Sequence, residues 1–332
     1  MNEDQWIKRE SEFIKTQGWK RKFFLVNDIK IHAVIADSAL KNSPIMILLH
    51  GFPEFWYSWR FVMPELSKHF HLVVPDQRGY NLSDKPRRVS NYYLKSLVED
   101  IVEIIKKESE DYYGSISGLS KDHEYITKPM AVLVGHDWGG GVAWQIARWY
   151  PQVVRKLIII NCPPADILFN EALQNVNQLK KSYYVFAFQI PVVAELFFSK
   201  FKPIIFSSIT KTTNMNKEER SRDKKAYLGA FSYKHAESAL NWYRAAFRYS
   251  LLDLLGKRLF KPRKKIEIET KILWGTADLA LGVELVRHFP KVVNPKKLSI
   301  TFLVKKSHWV PQEAPQIVLE EIMACTKNLR KT

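Results

Sequence analysis

The sequence predicts an α/β fold: a mostly parallel eight-stranded sheet flanked by helices, with one long helical insertion. Eight short apolar runs bounded by turn residues read as strands, and several are β-branched throughout without alternating with polar residues. That pattern marks strands covered by helices on both faces. Helical patterns lie between the runs, and alternation of strand and helix implies parallel strands joined by crossovers. The alternation stops between about Pro164 and Arg263, where only helical patterns occur.

In chain order the strand candidates are FFLV (23–26), IHAVIAD (31–37), IMILLH (45–50), HLVVPD (71–76), AVLVGHD (131–137), KLIIIN (156–161), KILWG (271–275) and LSITFLV (298–304). The clearest core helices are 94–107, 140–150 and 315–331; in the first, Leu97, Ile101, Ile104 and Ile105 share one face. Residues 111–128, DYYGSISGLSKDHEYITK, read as a polar loop rich in glycine and serine. A core of residues 1–163 and 264–332 would therefore enclose an insertion at 164–263, with helices near 170–182, 223–232 and 236–250. Ligands of open α/β sheets bind beyond the carboxyl ends of the strands, so the insertion would roof the site as a lid.

Composition narrows the classes. Hydrophobic residues are 46% and aromatics 13%, too much apolar surface for a disordered chain. The two cysteines, Cys162 and Cys325, form neither a disulfide framework nor a metal-ligand cluster, and are expected as small buried or half-buried side chains. Residues 1–22 are charged throughout, and no apolar run approaches the roughly 18 residues of a spanning helix. The expectation is a soluble, cytoplasmic protein. Lysine and arginine number 51 against 34 acids, a net charge of +17, concentrated at 217–225, 257–265 and 290–297. With no nucleic-acid-binding motif beside them, these runs read first as a solvated basic surface, then as peripheral contact with an anionic membrane, and last as a nucleic-acid site.

The central motif is Gly135-His136-Asp137-Trp138-Gly139-Gly140, between the strand AVLV and a helix. A strained strand-to-helix turn flanked by small residues exposes its central side chain, here Asp137, as a nucleophile. By itself Asp137 reads equally well as a helix cap. Two further residues tip the balance. Asp278 follows KILWG within a turn, and His308 follows LSITFLV by a few residues, giving the order nucleophile, acid, histidine. Upstream, His50-Gly51-Phe52-Pro53-Glu54 follows IMILL, where a loop can aim a backbone N–H into the site. Phe52 and Trp138 are the candidate oxyanion-hole donors. The segments DQRGY (76–80) and SDKP (83–86) read as bracing for these loops.

HGFPE, DQRGYNLSDKP, GHDWGG, LWGTAD and SHWVPQEAP, in this order, resemble the α/β-hydrolase-fold epoxide hydrolases over essentially the whole chain. The resemblance implies an aspartate nucleophile at Asp137 with the pair His308 and Asp278. It further implies two lid tyrosines that hold and protonate the epoxide oxygen. Aligning Phe188-Gln189 selects Tyr184 over Tyr183, and Asn241-Trp242-Tyr243-Arg244 selects Tyr243. The expected reaction converts a small lipophilic epoxide, such as an epoxy-fatty acid or terpenoid epoxide, to a vicinal diol without metal or cofactor, in a monomer or homodimer. The rivals are a dehalogenase of the same fold, which needs halide-binding donors beside the aspartate, and a non-enzymatic ligand-binding module. A serine esterase is disfavoured because no serine occupies the elbow.

Overall fold

A computed structural model of the chain describes residues 3–40, 42–117, 130–211, 215–231, 233–255 and 264–331. Its strands are β1 (Lys20–Val26), β2 (Ile29–Ala36), β3 (Ile45–Leu49), β4 (His71–Pro75), β5 (Ala131–His136), β6 (Val154–Ile160), β7 (Thr270–Gly275) and β8 (Leu298–Leu303). The helices are α1 (Glu3–Thr16), α2 (Met63–Leu66), α3 (Leu94–Ser117), α4 (Trp138–Trp149), α5 (Ala165–Gln174), α6 (Val176–Lys181), α7 (Tyr183–Ala187), α8 (Val193–Lys211), α9 (Lys217–Ala230), α10 (Tyr233–Leu255), α11 (Val310–Glu313) and α12 (Pro315–Cys325).

One sheet holds all eight strands in the order β1-β2-β4-β3-β5-β6-β7-β8. Strand β2 runs antiparallel to β1 and β4, and every pairing from β4 onward is parallel. The register pairs Leu49 with Gly135, Gly135 with Ile159 and Ile160 with Leu273, which aligns the carboxyl ends of β3, β5, β6 and β7 along one edge. This is the edge where α/β sheets place their chemistry. The central strands are apolar along their whole length because both faces are covered; Ile45 to Leu49 and Leu157 to Ile160 are fully buried. Each such side chain contributes about 1.5–3 kcal/mol through burial.

Helices α5 to α10 lie between β6 and β7 in the chain. Their docking onto the sheet is specific. On α9, Asp223 is buried, accepts from the Tyr57 hydroxyl at 2.8 Å and pairs with buried Arg60. On α10, the Trp242 indole donates to the Arg78 carbonyl and His235 Nε2 meets the Asn81 carbonyl, each at 2.9 Å. The 76–81 loop that receives them is itself braced. Arg78 makes a two-pronged contact with Asp100, both arms 2.8 Å, and Asp76 accepts from the Trp56 N–H, Asn81 and His32.

The structure corrects several sequence-based boundaries. Helix α3 reaches Ser117, so residues 111–117 continue a helix where a loop was expected; residues 118–128 of that expected loop lie outside the described residues. The helix expected at 170–182 breaks at Asn175, whose side chain caps α6 by accepting from the Asn177 N–H. Helix α9 starts at Lys217, earlier than expected, because Asn216 and Glu219 form a capping box. Within the basic run 217–225, the acid Asp223 turns inward to Arg60. Of the run 257–265, residues 257–263 lie outside the described residues, as do the end of the 164–263 insertion and Ser232. Both cysteines are free, Cys162 buried and Cys325 half-buried. Among the described residues no helix is long and apolar enough to cross a membrane.

Candidate active site

Strand β5 ends at His136 and α4 begins at Trp138, leaving Asp137 alone in the turn at φ 49° and ψ −123°. A non-glycine residue in this region stores strain of about 1–3 kcal/mol, and here it raises the carboxylate above the sheet edge. Close approach dictates the glycines around it. A Cβ on Gly51 would lie 2.5 Å from Asp137 Cβ, and one on Gly139 would lie 2.3 Å from the Leu49 carbonyl oxygen. Bare backbone at these two places brings the loop after β3 against the nucleophile turn.

The result is a line of three side chains from three strand ends. His308 Nδ1 is 2.7 Å from Asp278 Oδ2, and His308 Nε2 is 3.4 Å from Asp137 Oδ2. The other Asp137 oxygen, Oδ1, accepts from the Phe52 N–H at 2.8 Å. Trp138 occupies the first position of α4, where backbone N–H groups lack intrahelical partners. Asp137 and His308 each keep a small exposed fraction, 16% and 13% of the side chain, so a small molecule can reach them.

Asp278 is held from every side. Its Oδ1 accepts from the Ala280 and Leu281 N–H groups at 2.8 and 2.9 Å, and its Oδ2 accepts from Asn161 at 2.7 Å as well as facing His308. Asn161 is oriented by the Gly275 N–H, which donates to its Oδ1 at 2.9 Å. Burial works to raise the Asp278 pKa, but the His308 charge and these donors outweigh it and hold the carboxyl below its ordinary value. Asp137 is likewise lowered: burial opposes, and His308, His136 and the Phe52 N–H prevail. Burial alone would lower His308, yet the two carboxylates hold it well above an ordinary histidine. These directions favour an imidazolium between two carboxylates at rest.

A second layer supports the line. Buried Glu54 faces the Gly51 N–H, His136 Nδ1 at 2.9 Å and the Gln312 side-chain amide. His136 Nε2 reaches the His308 carbonyl at 2.9 Å, so the loop of one triad member is tied to the strand of another. His50 donates from Nδ1 to the Gly51 carbonyl, and its Nε2 accepts from the Gln77 N–H at 3.0 Å. Burial lowers the His50 pKa, which suits this neutral tautomer.

The inserted helices bring two phenols to the same place. The Tyr184 and Tyr243 rings sit edge to face at 5.8 Å, and Tyr243 packs against Phe52 and Trp138 at 5.1 and 5.0 Å. Tyr183, one residue before, points away and is 71% exposed. Burial, then the Asp137 charge, raises both phenol pKa values, so both keep their protons. Arg244 fixes the frame between α10 and the α7–α8 turn. It pairs with Glu195 at 2.6 Å and donates to the Phe188 carbonyl at 2.9 Å. Gln178 on α6 bonds the Ala280 carbonyl and the Gly282 N–H, clamping the loop that bears Asp278.

The structure thus brings together Asp137, Asp278, His308, Tyr184, Tyr243, Phe52 and Trp138. Sequence reasoning missed Asn161, Glu54, Gln312, Arg244 and Gln178 as supports. Asn161 carried one usable signal, an amide ending the otherwise apolar run LIII.

The alpha/beta hydrolase family pattern matches residues 46–321. The chain is 33% identical over 314 residues to epoxide hydrolase 1 of Caenorhabditis elegans, covering 92% of this chain and 70% of that protein. It is 36% identical over 296 residues to human epoxide hydrolase 4, covering 87% and 74%. Among solved structures, an epoxide hydrolase from Bacillus megaterium bound to an inhibitor superposes with a TM-score of 0.75 at 30% identity, covering 92% of this chain and all of that one. On these matches, the chain belongs to the alpha/beta hydrolase family and, within it, to the epoxide hydrolases.

Proposed function

We propose that the chain converts a lipophilic epoxide to a vicinal diol through an ester on Asp137, with residues 164–263 acting as the lid. The observation that carries this reading is the placing of an aspartate, rather than a serine, opposite His308 and beneath two protonated phenols. Aromatic rings of Phe52, Phe188, Trp138 and Tyr243 pack around the carboxylate and favour an apolar substrate.

In the first step Asp137 Oδ2 attacks an epoxide carbon. The carbon–oxygen bond of the ring breaks, and the departing oxygen takes a proton from Tyr184 or Tyr243. The phenolate recovers its proton from the His308 imidazolium through solvent. Esterification has removed the Asp137 charge, one of the two that hold the His308 pKa high, so the imidazole becomes a base only after the ester exists. His308, oriented by Asp278, then takes a proton from water, which attacks the ester carbonyl carbon. Oδ1 becomes the oxyanion, facing the Phe52 and Trp138 N–H groups. Collapse breaks the acyl–oxygen bond, the leaving alkoxide takes the proton from His308, and the regenerated carboxyl returns one to it. Epoxide plus water balances to diol, and no step uses a metal or organic cofactor.

The test is turnover of a styrene-type epoxide and a chloroalkane by wild type and Asp137→Ala. Diol from the epoxide without chloride release is expected, and Asp137→Ala should abolish it. Diol formation by Asp137→Ala near the wild-type rate would make the nucleophile assignment wrong, and chloride release by wild type would favour a dehalogenase.

A further inference from the structure

Helix α8 is apolar on two opposite faces. Its inner face buries Ala194, Phe198, Phe206 and Ile209 against the lid core and the Phe52 ring. Its outer stripe, Val193, Leu196, Phe197, Lys200 and Ile204, follows helical spacing on the far side. The outer side of the shorter helix α7 extends the patch with Tyr183 and Phe186. Tyr183, Phe186, Val193, Leu196, Phe197 and Ile204 are between 50% and 71% exposed. Single exposed apolar residues are ordinary, but a contiguous patch of this extent marks an interaction or membrane site.

We propose that the outer face of α7 and α8 docks the lid on an anionic lipid bilayer. Charge selects this occupant. Residues 172–216 contain five lysines, Lys180, Lys181, Lys200, Lys202 and Lys211, and a single acid, Glu195. That acid is buried and paired with Arg244, so it does not offset the lysines at the surface. Lys180 and Lys200 stand exposed beside the apolar patch. Lys202 turns inward to the Phe231 carbonyl, but apolar side chains with exposed lysines beside them still fit a bilayer carrying anionic headgroups, with the apolar groups at the acyl boundary and the ammonium groups at the phosphates. A second copy of the chain fits less well, because a two-fold interface would set lysines against lysines. Part of the patch, Tyr183 and Phe186, lies on α7, the helix that carries Tyr184, so docking would hold this part of the site close to the membrane in which lipophilic epoxides dissolve.

The experiment is co-sedimentation of the whole chain with vesicles of phosphatidylcholine alone or with roughly one quarter phosphatidylserine. Wild type should bind the anionic vesicles at low salt and much less at high salt. Phe197→Glu with Ile204→Glu should weaken partitioning by about tenfold or more, while hydrolysing a water-soluble epoxide at the wild-type rate. Lys180→Glu, Lys181→Glu, Lys200→Glu, which leaves the apolar patch intact, should weaken it by about a hundredfold. The proposal is overturned if wild type stays in solution with anionic vesicles, or if both variants sediment as wild type does. It is equally overturned if analytical ultracentrifugation finds a dimer that Phe197→Glu with Ile204→Glu dissociates. Binding is read without turnover, so failure here leaves the proposed reaction standing, and failure of that reaction leaves this surface untouched.

Discussion

At the scale of single residues, the two phenols share one task and should fail together. Each stands over the Asp137 carboxylate with its proton held on, so either can donate to the opening oxygen. Removing one hydroxyl should slow ester formation by about 10–1000-fold, roughly 1.4–4 kcal/mol of transition-state stabilisation. Removing both leaves the developing alkoxide without a proton source, so Tyr184→Phe with Tyr243→Phe should be nearly inactive, with its fold checked by circular dichroism. A double variant that opens epoxides at the wild-type rate contradicts the assignment. Tyr183→Phe, altering an exposed side chain, is the control and should behave as wild type. The triad was legible because each member follows a recognisable strand within a few residues, which fixes its place before any contact is known. Asn161 and Gln178 were not, because an amide acquires its meaning from partners distant in the chain: Asn161 bonds Asp278 and Gly275, and Gln178 bonds Ala280 and Gly282.

Among the elements, each of the eight expected strands is present, and the central ones, covered on both faces, announce themselves as unbroken apolar runs. The helices were harder to read, for different physical reasons. In α1, Trp6, Glu10 and Ile14 are buried along one face, but a charged glutamate at the centre of that face hides the period. Helix α8 was missed because its two apolar faces leave no single stripe and Pro203 interrupts it. The end of α3 was missed because Gly114 and the serines beside it favour a loop by local propensity. Among the contacts that hold the insertion on the sheet is the buried ion pair of Asp223 and Arg60. Asp223→Ala would leave the Arg60 guanidinium buried without its carboxylate and the Tyr57 hydroxyl without its acceptor. Breaking a buried pair from one side costs about 3–5 kcal/mol, and urea unfolding should show a loss of that size. A loss below about 1 kcal/mol would mean that the aromatic packing of Phe55, Tyr57 and Tyr227 and the α10 hydrogen bonds to Arg78 and Asn81 seat the insertion without it.

For the whole molecule, the sheet supplies alignment and the insertion supplies the two phenols that the proposed reaction uses as proton donors. Parallel register carries Asp137, Asp278 and His308 to one edge from β5, β7 and β8, and the two phenols descend on them from α7 and α10. In the proposed reaction electrostatics would order the steps, because the two carboxylates that raise the His308 pKa would become one on esterification. The most direct measurement of this sequence is mass spectrometry of His308→Gln mixed with an epoxide. Without its base the variant should form the ester and fail to hydrolyse it. The peptide containing Asp137 should therefore gain the intact mass of the substrate, while the wild-type peptide does not accumulate it. If binding is demonstrated independently and no adduct forms on that peptide, the covalent route through Asp137 is contradicted.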